Sequence, residues 1–126
     1  MSLETEIVQT LQNHPGMAAL VVTRIYPMLM PQNPTLPAIV YQKISGPRSY
    51  SHSGDQNLTF TRYQFSCRAH TYAGAKALAA QLRDCLSGRK YGVIRASFCV
   101  NELDDYDPIS KDFRIIVDFY FWVAEA

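Results

Sequence analysis

Ser49, Ser51, His52 and Ser53 put hydroxyls and an imidazole into one short stretch, the residue types from which a serine nucleophile and its base are made. The spacing argues against that chemistry. Adjacent side chains of an extended segment diverge, and no G-x-S-x-G elbow is present to aim a hydroxyl. Cys67 or Cys99 with His70 would make a thiol–imidazole pair, but Cys67 alternates onto the inward side of its strand, where a buried thiol stays protonated and inert. Asp104, Asp105, Asp107 and Asp112 are the concentrated carboxylates, and hard cations prefer such oxygens. Counted from Asp105, the calcium-loop positions that require glycine and glutamate hold Ser110 and Ile116, so the cluster reads as an exposed acidic turn between strands. His14, next to Pro15 at a helix end, is expected to serve the terminal carbonyls. Neither G-x-G-x-x-G nor the G-K-[ST] phosphate loop occurs. Arg62 and Arg68 with Tyr63 and Phe65 have the composition of a single-strand nucleic-acid platform, but a period of two sends arginines and aromatics to opposite faces. No catalytic residue, metal site or cofactor is expected.

The elements that carry these residues follow from hydrophobic spacing. Leu3, Ile7, Val8 and Leu11 form one stripe of a short N-terminal helix, which Ser2 can cap and Pro15-Gly16 must end. Met17 to Val22 is a second apolar stretch. It leads into Tyr26-Pro27, Met30-Pro31, Asn33-Pro34 and Leu36-Pro37, whose prolines remove amide donors and exclude a helix or a central strand. That segment is too apolar for a floppy linker and reads as an ordered, extended connector. Ala38 to Ser45 reads as a strand, and Gly46 to Asn57 as a long polar loop, a candidate contact surface.

Tyr63, Phe65, Cys67 and Ala69 then alternate with Arg62, Gln64, Ser66 and Arg68, a half-buried antiparallel strand. Thr71 is placed to cap a helix from Tyr72 to Ser87 with Ala75, Leu78, Ala79, Leu82, Cys85 and Leu86 on its apolar face, and Gly88 to end it. Burying Leu78 or Leu82 contributes about 2 kcal/mol each. Val93 to Leu103 reads as a third strand with Ile94, Ala96, Phe98 and Val100 on one face. Phe113 to Ala124 reads as a fourth, with Phe113, Ile115, Val117, Phe119, Phe121 and Val123 inward and Arg114, Asp118, Tyr120 and Trp122 outward. Arg68 is placed to pair with Asp118 or Glu102 across neighbouring strands. Ile116, Tyr120 and Trp122 make the outer face more apolar than solvent requires, so a covering partner is expected there. The order gives an α+β domain: a mostly antiparallel four-stranded sheet with the long helix and the short N-terminal helix packed on one face.

Composition agrees with one such unit. The 126 residues, 48% hydrophobic, suffice for a single core and a single domain over 1–126. Twelve basic against eleven acidic residues leave a net charge of +1, which argues against a broad phosphate-neutralising surface. Three widely spaced cysteines fit neither a disulfide framework nor a C-x-x-C metal site and point to a reducing compartment. The acidic start, Met1 to Glu6, lacks the features of an export signal, and no run is apolar enough to span a bilayer.

The chain also carries Thr23-Arg24-Ile25-Tyr26-Pro27, Pro34-Thr35-Leu36-Pro37-Ala38-Ile39-Val40-Tyr41, His52 and Gly54, and Thr71-Tyr72-Ala73-Gly74-Ala75-Lys76-Ala77-Leu78. Asp105-Tyr106-Asp107, Phe113-Arg114 and Asp118-Phe119 follow in order. Together these resemble the tail completion family of long-tailed bacteriophages and prophages, which is similar in role and fold to tail terminator and tail-to-head joining proteins. The resemblance runs along nearly the whole chain.

It implies a non-enzymatic virion protein of the tail or neck, assembled in the bacterial host cytoplasm as a homo-oligomeric ring, commonly a hexamer. The ring would stop elongation of the tail tube and offer a surface to the head-tail connector or stopper protein. DNA would pass through the lumen without specific binding, and no membrane is involved. Heterologous contacts that close a ring need two different patches on each subunit. Candidates for them are Tyr26, Pro27 and Met30 of the proline-rich arm, Arg48, Tyr50, His52 and Asp55 of the long loop, and Tyr120 and Trp122 of the last strand. Asp104, Asp105 and Asp107 would suit a lumen that repels phosphate. The rivals are another tail component, such as the tube protein, or a small enzyme with a pocket near His52 or His70.

Overall fold

The computed structural model describes residues 3–21, 24–29, 35–45, 58–87 and 94–124. Within them the order is α1 (Leu3–Asn13), α2 (Pro15–Val21), β1 (Ile25–Pro27), β2 (Ala38–Ser45), β3 (Leu58–Ala69), α3 (Tyr72–Leu86), β4 (Ile94–Asp107) and β5 (Asp112–Ala124). The strands form one sheet in the order β1-β2-β3-β5-β4. β1 runs parallel to β2 and the other neighbours are antiparallel. The α+β class and mostly antiparallel sheet are as expected, but the sheet has five strands, not four.

The additional strand comes from the proline-rich arm. Ile25 to Pro27 pairs with Ile39 to Tyr41 along one side only, so Pro27 sits at an edge, where a missing amide donor costs the ladder little. The Leu36–Pro37 peptide is cis. Met17 to Val21 belongs to α2: Pro15 ends α1 and also opens the next helix, because a proline at the first helical position removes only an amide that has no partner anyway.

α3 follows its sequence pattern. The Thr71 side chain accepts from the Gly74 amide at 3.0 Å, which satisfies one of the free amides of the first turn. A Cβ at position 74 would lie 2.9 Å from that same hydroxyl oxygen, so the small residue there leaves room for the cap. At the other end Ser97 Oγ donates to the Leu86 carbonyl, tying the last turn of the helix to β4. Gly88 lies outside the described residues.

The core lies between one face of the sheet and the three helices. Ile7 and Leu11 of α1, Met17 and Val21 of α2, and Leu78, Leu82 and Leu86 of α3 share one buried cluster with Ile39, Tyr63, Phe65, Cys67, Ile115, Val117, Phe119 and Phe121. Phe65 meets Phe119 edge-on at 5.8 Å and Tyr63 meets Phe121 at 6.0 Å, geometries favoured by the ring quadrupoles. The alternations expected for β3 and β5 are both present.

β4 departs from its expected face. Ile94 is buried, but Phe98 is 49% exposed and Val100 is also exposed, while Ser97 is buried. The register against β5 shifts between Ile94 and Ala96 and again between Cys99 and Asn101. Each bulge adds one residue without a partner and sends the side chains after it to the opposite face. Simple alternation therefore fails twice along this strand.

Candidate assembly surface

The helices leave the second face of the sheet uncovered, and β4 forms its long free edge. Along β5 this face carries Arg114, Ile116, Asp118, Tyr120 and Trp122, the first four opposite Arg68, Ser66, Gln64 and Arg62 of β3. A chain of side-chain hydrogen bonds crosses three strands. Gln42 Nε2 donates to Gln64 Oε1 at 3.2 Å, Gln64 Nε2 to Asp118 Oδ1 at 3.3 Å, and Arg62 Nη2 to Asp118 Oδ2 at 2.6 Å. The Arg62 guanidinium also lies 5.8 Å from the centre of the Tyr120 ring. Asp118 is only 2% exposed although no helix covers it. Its bonds to Arg62 and Gln64 offset the desolvation that such a carboxylate would otherwise suffer, and the hydrogen bond to Asp118 raises the Arg62 guanidinium above its ordinary value.

The expected partner of Asp118 was Arg68, and the structure assigns the carboxylate to Arg62. Glu102 likewise goes elsewhere, to Arg83 of α3 at 2.5 Å. The reason is register. Asp118 stands opposite Gln64 with Arg62 on its diagonal, whereas Arg68 stands opposite Arg114.

That row of two arginines forms a small cleft of about 160 Å³ lined by Met28, Val40, Gln42, Gln64, Ser66, Arg68, Arg114 and Ile116. Cofactor sites are larger, about 300–1,000 Å³, so this one has room for a side chain only. Arg114 is held by Asp107 at 2.5 Å and Asp112 at 3.2 Å. Arg68 makes one hydrogen bond, from Nε to Ser66 Oγ at 3.4 Å. Burial, reinforced by the Arg114 charge, lowers the Arg68 guanidinium below its ordinary value, against the opposing pull of Asp112 and Asp107. Met28, on the cleft wall, has φ of 63°, a left-handed conformation that costs a non-glycine residue about 1 kcal/mol.

Of the residues singled out from sequence, Tyr120 and Trp122 lie on this open face, half-buried. Tyr26 and Pro27 are in β1 at the opposite edge of the sheet from β4. Met30, Arg48, Tyr50, His52 and Asp55 lie outside the described residues.

The aspartates do not form an acidic turn. Asp104, Asp105 and Asp107 lie within β4 and Asp112 opens β5, and alternation puts Asp104 on the helix side and Asp105 and Asp107 on the open side. Asp104 accepts from the Tyr72 hydroxyl at 2.7 Å and pairs with Lys76 at 2.9 Å, and both hold its carboxyl below the usual range. Asp107 accepts from the Ile109 amide at 2.9 Å, the largest cause of its own lowered value. Asp105 projects from the side of the strand opposite Asp104, in the row of Arg114. His14 also differs from expectation. Its ring meets Gln81 at 3.2 Å on α3 rather than the carbonyls of its own helix end.

Sequence reasoning missed the Arg68 cleft and the apolar edge. Phe98, Val100, Leu103 and Tyr106 of β4 are exposed, Ile109 at the hairpin tip is 92% exposed, and Leu29 beyond β1 is 79% exposed. The excess of bulky apolar residues in β4 was a usable signal, but the bulges hid which side they face.

Two groups that could serve catalysis, Cys67 and Glu4, are engaged otherwise. Burial pushes the Cys67 thiol well above its ordinary value. An open depression of about 530 Å³ between α1 and β2 is lined by Glu4, Thr5, Val8, Gln9 and Tyr41. Its carboxylate, Glu4, accepts from the Tyr63 hydroxyl at 3.3 Å. Among the described residues no group of three or more His, Cys, Asp or Glu side chains could hold a metal ion. No helix among them is long and apolar enough to cross a membrane.

A one-layer sheet with helices on one side and an apolar, ion-paired second face defines a small α+β domain with surface left for protein contact. Residues 5–124 match the family described as Tail completion protein gp17, and the chain belongs to that family. It is thus a structural protein of a virion tail, a part that works in assembly with other tail or head proteins. The fold is similar to that of a chain in the solved virion of a native gene transfer agent particle, with a TM-score of 0.73 at 22% identity, over 97% of this chain and 94% of that one. A comparison with curated proteins gives no match.

Proposed function

We propose that the protein caps the end of the phage tail tube as a homo-oligomeric ring, a hexamer, stopping elongation and presenting a joining surface to the head-tail connector or stopper. It makes and breaks no bonds. Membership of the tail completion family carries this reading, and the surface supports it. The helix-covered side of the sheet is already closed, yet Phe98, Val100, Leu103 and Ile109 stay in solvent along one free edge. Apolar side chains grouped in this way mark a contact that a lone subunit lacks.

DNA would pass through the lumen without being gripped, in keeping with a net charge of +1. An acidic lumen built from Asp104, Asp105 and Asp107 is not needed for this. Lys76 and Arg114 already neutralise Asp104 and Asp107.

Deleting the gene and imaging the lysate by electron microscopy tests the role. Abnormally long tails are the expected result for a terminator. Tails of normal length detached from full heads would assign joining alone, and intact particles would overturn both roles.

A further inference from the structure

Among the described residues Arg68 and Asp105 are charges of opposite sign that enter no ion pair, at different places on the open side of the sheet. A guanidinium carries five N–H donors in a rigid fork suited to a carboxylate. Arg68 uses one of them, on Ser66 at 3.4 Å, and sits between Met28, Val40 and Ile116 in a cleft of about 160 Å³. The nearby carboxylates, Asp107 and Asp112, are bonded to Arg114. Asp105 is exposed and makes no hydrogen bond or ion pair among the described residues, whereas Asp104, Asp107, Asp112 and Asp118 are all bonded.

We propose that the Arg68 cleft receives the Asp105 carboxylate of a second copy of this chain. The inference rests on the ring reading above and names its contact. Within one chain Asp105 and Arg68 occupy the same row, but Arg114 of β5 stands between them. The cleft opens over β2, β3 and β5, and Asp105 projects from β4, the outermost strand at the other side. The two halves of the contact lie two strands apart on one face, so a neighbour offset along that row engages one with the other, and repeating the offset contact head to tail generates a ring when the rotation closes. Apolar groups accompany both charges: Met28 and Ile116 at the cleft, Leu103 beside Asp105 on the same face of β4. Once the contact excludes water, the charge-assisted bonds act in a medium of lower dielectric than the free surface.

Charge exchange tests this on the full chain. Wild type, Arg68→Glu, Asp105→Arg and the double variant are compared by native mass spectrometry and sedimentation, and by complementation of a phage carrying the gene deletion. Each single variant is expected to weaken self-association or particle yield at least about tenfold, and the double variant to recover to within about threefold of wild type. Circular dichroism melting and the milder Arg68→Gln confirm that any loss is not unfolding. Single variants that assemble like wild type, or singles that fail with no recovery in the double, would overturn the contact while leaving the ring reading standing. Recovery confined to a two-fold dimer would keep the pair and overturn the ring. Retention of a duplex DNA fragment by wild type that Arg68→Glu abolishes would instead place a phosphate in the cleft and overturn the proposal.

Discussion

On the helix side of the sheet Phe65, Phe119 and Phe121 are fully buried with Leu78 and Leu82, while one residue along the same strands, on the opposite side, Gln64 and Arg62 meet Asp118 through polar atoms and Arg62 lies over the Tyr120 ring. Both sides reach high burial at their centre. The first does so by excluding water from hydrocarbon, which is non-directional and tolerates exchange of similar shapes. The second does so by satisfying one carboxylate from two donors, which depends on strand register. A single sheet thus has one face that holds the domain together and one whose polar order positions Arg68, Tyr120, Trp122 and the β4 edge, the surface proposed above to meet a neighbour.

The contrast can be broken most forcibly from the closed side. Phe119→Ala is expected to lower the unfolding free energy by about 3–5 kcal/mol, read by chemical denaturation, with assembly lost only because the subunit unfolds. On the open side Asp118→Ala removes the acceptor of Arg62 and Gln64, and a loss of about 1.5–3 kcal/mol is expected. A loss as large as that of Phe119→Ala would mean that the network, not the core, anchors the sheet.

A smaller effect concerns pH. Asp104 and Asp107 are held below the ordinary carboxylate value of 3.8 in the folded chain, so they bind protons less readily than when unfolded. The stability they add is present above about pH 4 and disappears as pH falls through their lowered folded values. Asp104→Asn combined with Asp107→Asn should therefore melt with a shallower acid dependence than wild type below about pH 4. An identical acid limb would show that these pairs do not matter to the hairpin.

The smallest effect on stability is expected from Phe98→Ser with Leu103→Ser, within about 0.5 kcal/mol in the isolated subunit. The same pair should nonetheless abolish assembly in the complementation assay. A large drop in melting temperature instead would assign these side chains to the core and erase the distinction between the faces.

Much of the closed face was legible before any coordinates. Tyr63, Phe65 and Cys67 alternate without interruption, as do Ile115, Val117, Phe119 and Phe121, and each run lies inside one strand with no bulge. Leu78, Leu82 and Leu86 with Thr71 marked α3 almost to the residue. Seven residues give α2 too short a helical period to stand out, and Pro15 signals the end of one helix as readily as the start of the next. β1 was missed because three residues in an edge strand carry no alternation. The candidate contact residues were partly legible. Tyr120 and Trp122 announced, through their apolar character, a face that no helix covers, but Arg68 resembled any other outward arginine.

By itself the sequence determined the class of the domain and the residues of its core, because hydrophobic period, proline placement and a capping threonine act over a few neighbouring residues. Only the tertiary structure decided which charges meet. The order β3-β5-β4 and two bulges in β4 bring Arg62 to Asp118, leave Arg68 in no ion pair among the described residues and turn Phe98 into solvent. Such pairings join residues dozens of positions apart and hinge on register, where a shift of one residue exchanges the two faces of a strand.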